Sequence, residues 1–202
     1  MSVSRAEFWD GQAAGYDRTT AFLEPRLLAP ARRWVADRVS GSTLEVGVGT
    51  GANLPYYADR ATDVTLSDVS PAMLRAAGAR AAALGLPVRM VPGDAAHLDL
   101  PSGSFDTVVC TFAMCCVDDE LAVLRELARV LRPGGQLLVA DHVESSARLG
   151  RGVQRVLDAV TPQSAGEHHR RRPVLLLDRA GLTLTEREAS RWRLVERFAA
   201  TR

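Results

Sequence analysis

The sequence predicts a doubly wound α/β domain, a mostly parallel sheet with helices on both faces, and three observations lead there. Short apolar runs recur along the chain, helical patterns lie between them, and a glycine-rich turn follows the first run. Alternation of this kind, with strands that are almost continuously apolar, calls for a sheet buried on both faces. Right-handed crossovers then leave few ways to wind it.

From Glu24 to Val39, the residues Leu27, Leu28, Ala31, Trp34, Val35 and Val39 recur at helical spacing and Pro25 suits a first turn, so a leading helix is expected. Five strands follow, over Thr43–Gly47, Asp63–Ser67, Pro87–Val91, Phe105–Thr111 and Gln136–Asp141. A helix from Pro71 to Leu84 is opened by proline and closed by Gly85, and another from Asp118 to Leu131 stops at Arg132-Pro133-Gly134-Gly135. After Asp141 the pattern changes. A helix over Ala147–Val160, an Arg-rich stretch over His168–Arg172 and a helix to Ala180 are expected, and Leu182–Glu188 with Arg193–Ala200 form a terminal hairpin.

The 202 residues, 47% of them hydrophobic, suit one domain over residues 1–202: a lid and helix over 1–40, a ligand-binding core over 41–143, and acceptor-side helices with the hairpin over 144–202. The net charge of +1 argues against nucleic acid as a partner. All 25 basic residues are arginine, lysine and isoleucine are absent, and Asn53 is the single asparagine, a bias of GC-rich codons. Cys110, Cys115 and Cys116 cluster within seven residues, which fits a reducing cytoplasm better than a disulfide framework. Neither a secretory leader nor a membrane span is expected, and a cytoplasmic monomer or homodimer is.

Gly47, Gly49 and Gly51 stand where the first strand must turn into a helix, and the missing Cβ atoms let a ligand approach the free N–H groups there. Taken alone, Gly47, Gly49 and Ala52 equally satisfy a dinucleotide fingerprint. Asp68 ends the second strand, 21 residues after Gly47, where a carboxylate can accept from ribose hydroxyls. Glu45 before the turn, the third glycine, and Asp94-Ala95 after the third strand distinguish it from the dinucleotide pattern.

With these residues in place, EVGVGTGANLPYY, SDVSPAML, GDAAHLDLPSGSFDTVV and LRELARVLRPGGQLLVADHV resemble the successive motifs of class I S-adenosylmethionine (SAM)-dependent methyltransferases over residues 43–143. The resemblance implies a Rossmann-like seven-stranded mixed sheet of order 3-2-1-4-5-7-6 with one antiparallel strand. It implies SAM as cofactor, no metal, and in-line methyl transfer to a small-molecule acceptor. Glu45 and Gly47, Gly49, Thr50 and Gly51 would hold the methionine end, Asp68 the ribose, and Asp94 with Ala95 the adenine; Val69, Thr111 and Met114 fall near the same pocket. Phe8-Trp9-Asp10 and Tyr16-Asp17 resemble a segment that folds over SAM, placing Tyr16 at the cofactor and Trp9 at the acceptor.

The acceptor is expected beyond the fourth and fifth strands, at the edge that carries Cys110 to Cys116 and Asp141-His142, with Met114, Cys115 and His142 as its candidates. His142 suits a general base, as does Asp141 for a phenol or enol, and His142 equally suits a histidine satisfied by backbone. The cysteines read as small buried hydrophobes. Arg170, within GEHHRRRP, fits either an anion-recognising group or a solvated helix start. An Asn-Pro-Pro-Tyr signature is absent, which turns the reading from bases and glutamine amides toward small molecules. VVCTFAMCCV and VLRPGGQLLVADHV resemble alkyl thiol methyltransferases most, with phosphatidylethanolamine and quinone methyltransferases nearby, so the expectation leans to a thiol, with N- or O-methylation of a lipid or secondary metabolite next. An NAD(P)-dependent oxidoreductase lacks its Tyr-x-x-x-Lys pair here, and a catalytically silent SAM-binding regulator is the third reading.

Overall fold

The computed structural model describes residues 4–57, 60–143, 171–190 and 194–202. The expected helix over 147–160, Arg170 and the start of the last strand at Arg193 lie outside the described residues.

Two short helices open the chain, α1 (Arg5–Gln12) and α2 (Tyr16–Thr20), the first held by a capping box between Ser4 and Glu7. The leading helix expected over 24–39 forms as a π-turn, Glu24–Leu28, running into α3 (Ala29–Ala36). Strand β1 (Gly41–Val46) enters the sheet, followed by β2 (Ala61–Asp68), α4 (Pro71–Ala83), β3 (Val88–Pro92), β4 (Phe105–Thr111), α5 (Glu120–Val130), β5 (Leu131–His142), β6 (Thr183–Ala189) and β7 (Val195–Thr201). Ser70 caps α4 and Asp119 caps α5, each accepting from amides of the first turn.

The seven strands are ordered β3-β2-β1-β4-β5-β7-β6. The first five are parallel, and β7 pairs antiparallel with both β5 and β6. The expected order and the terminal hairpin are therefore both present. Alternation along the strands divides the core: Leu44, Val46, Val108, Cys110, Leu137 and Val139 face α5, while Val64, Leu66, Val109, Leu138 and Ala140 face α3 and α4.

Two expectations are corrected. No α-helix starts directly after β1 among the described residues. The chain instead makes successive i→i+3 turns, with amides of Leu54, Tyr56 and Tyr57 donating to carbonyls of Gly51, Asn53 and Leu54, and Pro55 has no amide to offer. The helix expected to Ala180 is likewise two short 3-10 turns, Pro173–Leu176 and Asp178–Ala180, ended by left-handed Gly181.

Gly47, Gly49 and Gly51 all have positive φ, at 65°, 55° and 78°. Their surroundings differ. A Cβ on Gly51 would sit 2.7 Å from Leu54 Cδ1 and 3.1 Å from Ala77 Cα, whereas one on Gly49 would meet nothing within 4 Å. Gly49→Ala should therefore cost only the left-handed conformation, about 1–2 kcal/mol, and Gly51→Ala about 1–3 kcal/mol more from overpacking against α4. Denaturant melts of both variants check the order; equal losses would mean that the turn, and not its seat on α4, governs stability.

Candidate active site

The carboxyl ends of the parallel strands open on a cavity whose empty space is roughly 700 Å³ with the open mouth included. Val46, Gly47 and Gly49 line it from β1, Asp68, Val69 and Met73 from β2 and α4, and Gly93, Asp94 and Ala95 from the end of β3. Cys110, Phe112, Ala113, Cys116 and Val117 line the side after β4, and Arg5, Trp9 and Tyr16 reach it from the N-terminal helices.

Asp68 is buried at the end of β2. Its Oδ2 accepts from the Gly49 amide at 2.8 Å and its Oδ1 from the Ser70 amide at 2.9 Å. One carboxylate thus ties the glycine turn to the cap of α4. Burial pushes its pKa up, while the bonds from Ser70, Gly49 and Val69 amides act to lower it. Gly47 lies so close to Ala113 that a Cβ would approach Ala113 Cβ to 2.5 Å, which brings the turn against the loop after β4.

Below the turn runs a buried polar chain. Arg32 Nε donates to Glu24 Oε1 at 3.1 Å and its Nη1 to Asn53 Oδ1 at 2.9 Å, and Asn53 Nδ2 donates at 2.8 Å to both Glu45 Oε1 and Thr111 Oγ1. The second Glu45 oxygen and the Tyr57 hydroxyl, both buried, make no hydrogen bond of good geometry. Burial lifts the Glu45 pKa from 4.5 to about 7, although Tyr57, Arg32 and Asn53 all act to lower it.

The N-terminal helices are tied down by carboxylates. Asp10 Oδ1 accepts from Ser70 Oγ at 2.5 Å and from the Ala72 amide at 2.8 Å, at the positive end of α4. Asp17 accepts from Thr50 Oγ1 at 2.6 Å and pairs with Arg80, and Arg5 pairs with Asp118. Trp9 and Tyr16 stack edge-on at 6.1 Å between these ties.

After β4, Phe112 is the one described non-glycine residue at positive φ, 55°. Its amide bonds the Ala140 carbonyl at 2.8 Å, and Arg32 lies 5.3 Å over its ring. Asp141 is buried, with one oxygen accepting from the Cys115 amide of this loop at 3.1 Å and the other from the amide of its β5 neighbour His142 at 2.6 Å. Burial raises its pKa to about 6. Arg171 donates to the Met114 carbonyl at 3.4 Å and to the Val117 carbonyl, so this guanidinium braces the same loop from behind. Cys115 and Cys116 sulfurs are 3.5 Å apart, and the thiols of Cys110 and Cys115 are held well above their usual pKa, the first by burial and the second chiefly by its bond with Cys116. No group of three His, Cys, Asp or Glu is placed to hold a metal ion among the described residues.

Of the residues singled out in the sequence, Gly47, Gly49, Asp68, Val69, Asp94, Ala95, Tyr16 and Trp9 lie together at the cavity. Glu45, Thr50, Gly51, Thr111, Met114, Cys115, Asp141 and His142 lie outside its lining. The pleat explains Glu45 and Thr111, since their neighbours Val46, Cys110 and Phe112 take the cavity side while they bond Asn53 beneath. Thr50 is occupied by Asp17, and Gly51 is packed on Leu54 and Ala77. Met114 and Cys115 are buried in the turn that Asp141 pins, and the His142 ring stacks on Phe112 at 5.1 Å. Cys110, Phe112, Ala113 and Cys116, from the expected acceptor edge, line the cavity too, whereas Arg5, Met73, Gly93 and Val117 were not anticipated. Alternation from Gly47 back to Val46 carried a signal for the pleat. The burial of Arg32 is signalled separately, four residues after Leu28 and three before Val35 on the buried stripe of the leading helix.

Residues 44–139 match the methyltransferase domain family. Over that stretch, slightly under half of the 202 residues, the chain is similar to methyltransferase domains. A phosphatidylethanolamine N-methyltransferase of Cereibacter sphaeroides is 42% identical over 118 residues, 56% of this chain and 58% of that one. A demethylmenaquinone methyltransferase of Renibacterium salmoninarum is 34% identical over 140 residues, 67% of this chain and 57% of that one. The chain thus spans less than three fifths of either relative. Among solved structures, the [4+2]-cyclase SpnF superposes with a TM-score of 0.79 at 17% identity, over 100% of this chain and 97% of that one, which shows a shared fold alone.

The raised acids set a pH dependence. Between the usual carboxylate range and about pH 7, folded Glu45 keeps a proton that the unfolded chain has released, and Asp141 does so up to about pH 6. The contribution of these two acids to stability is therefore greatest below the unfolded pKa values and is lost as pH rises through the folded ones. For Glu45 the loss is about 3 kcal/mol. Glu45→Gln should flatten the decline and stabilise the protein at pH 8; urea melts across pH that show an unchanged slope would contradict the buried acid.

The ties of the N-terminal helices make a second prediction. Asp10→Ala combined with Asp17→Ala should speed hydrogen exchange over residues 5–20 severalfold while the sheet amides keep their protection. Uniform loss of protection would show that these helices are part of the global folding unit.

Proposed function

We propose that the cavity binds SAM and that the protein transfers its methyl group to a small-molecule acceptor whose nucleophile needs no base. The observation that carries the SAM reading is Asp68, a buried carboxylate aimed at the cavity end of β2 and oriented by two backbone amides beside an open Gly49. In this reading Asp68 accepts from the ribose hydroxyls, Val69 and Asp94-Ala95 flank the adenine, and Gly47 and Gly49 admit the methionine portion. Glu45 acts beneath the turn, fixing it through Asn53. Bound SAM supplies a methyl group activated on a sulfonium. Trp9 and Tyr16 exclude water and turn aromatic faces toward that cation.

The acceptor reading rests on the ionisable groups of the lining. Arg5 is paired with Asp118, Asp68 and Asp94 lie at the nucleoside end, and the Cys110 thiol is held neutral. Asp141, the buried acid raised to about 6, lies outside the lining and accepts from the Cys115 and His142 amides. A thiol or a neutral amine, aligned by Phe112, Ala113, Cys116 and Val117, requires chiefly proximity. A thiol remains the leading acceptor. The amine of a lipid headgroup is the second, favoured by the 42% identity to a phosphatidylethanolamine N-methyltransferase.

Calorimetry and thermal shift with SAM, S-adenosylhomocysteine and NAD should show stabilisation by the first two alone. Asp68→Asn should weaken SAM about tenfold, the scale of one charge-assisted hydrogen bond. Stabilisation by NAD would replace this reading with an oxidoreductase. Product analysis with a thiol, an amine and a phenol should find methyl on the first two; a phenol as sole product would require a base.

A further inference from the structure

The helical run over residues 16–36 carries a surface that the cavity does not use. Phe22 is 86% exposed, the most exposed large apolar side chain among the described residues, and its neighbour Leu23 is 41% exposed. The backbone keeps right-handed helical angles at Ala21, Leu23, Leu28 and Ala29. Arg18, Phe22 and Arg26, four residues apart, therefore follow one another on one side, and Arg33 stands two turns further. All four are exposed, while Leu28, Ala31, Trp34 and Val35 on the opposite side are buried.

Charge along this stripe has one sign. The acids of the same stretch are all engaged elsewhere: Asp17 pairs with Arg80, Glu24 with Arg32 at 3.1 Å, and Asp37 with Arg60 at 3.1 Å. Among the described residues no ion pair or side-chain hydrogen bond is made by Arg18, Arg26 or Arg33. A large apolar ring between unpaired guanidinium groups matches the interface of an anionic bilayer, where the ring passes the headgroups and the arginines meet phosphates. A stable protein interface needs a broader apolar centre than these two side chains provide.

We propose that residues 18–33 form a docking face for anionic lipid. Tyr16, at the start of the same run, lines the cavity. The proposal is independent of which acceptor is methylated, because its readout is binding and not turnover.

The full chain should sediment with vesicles of phosphatidylcholine and phosphatidylglycerol, remain in solution with phosphatidylcholine alone, and be released by salt. Phe22→Ser should abolish most of the binding, and Arg18→Gln and Arg26→Gln should each weaken it about fivefold. Arg125→Gln, an exposed arginine on α5, should change nothing. The altered side chains are exposed, and unchanged circular dichroism will verify folding. No sedimentation with the anionic vesicles, binding indifferent to the stripe variants, an equal loss in Arg125→Gln, or Phe22-dependent self-association in place of vesicle binding would each overturn the proposal.

Discussion

The Asp68 carboxylate is the interaction on which the rest of the site depends. Parallel strands end with unpaired backbone groups, and this side chain gathers two of them, the amides of Gly49 and Ser70. Ser70 in turn caps α4 and donates to Asp10 of the first helix. Turn, sheet, helix and N-terminal cover are thereby linked through three side chains. Loss of the carboxylate would leave two amide groups to find new partners, and the cover would lose the fixed Ser70 that receives it.

A second constraint lies beneath. Glu45 is buried, and desolvation holds its proton near neutrality, so the chain through Asn53 and Arg32 joins an acid of variable charge to a permanent cation. Such a chain contributes little net stability, because desolvation offsets much of the attraction. What it does is specify geometry. Asn53 can satisfy Glu45, Thr111 and Arg32 only if the turn after β1 closes as it does, and Arg32 at the same time lies over the ring of Phe112 on the acceptor side.

The fold by itself does not select a reaction. SpnF, a [4+2]-cyclase, shares it across the whole chain. What narrows the chemistry here is the disposition of charge: carboxylates gather where β2 and β3 end, and the loop after β4 presents apolar and thiol side chains braced by Asp141 and Arg171 from outside the lining. In the proposed reaction positioning would carry most of the rate, as suits a nucleophile that arrives ready to react.

The architecture was legible in the sequence because it rests on local rules. Apolar runs gave strands within about two residues of their observed ends except for β5, which begins at Leu131; Pro71, Gly85 and the stretch from Arg132 to Gly135 marked helix ends, and the two last runs gave the terminal hairpin. Gly47, Gly49, Asp68, Asp94 and Ala95 were equally legible, since each must stand at the end of a strand to be of use. Other features depended on contacts between distant segments. Which face of β1 Glu45 takes, the burial of Arg32, the left-handed Phe112, and the occupation of Asp141 by the amides of Cys115 and His142 are decided when α3 and the loop after β4 pack on the sheet. Sequence periodicity determines that a side chain is buried or at an edge. Only the tertiary structure decides which partner it meets there, and at this site the partners turned Glu45 and Asp141 from residues facing a ligand into residues that hold the surrounding backbone.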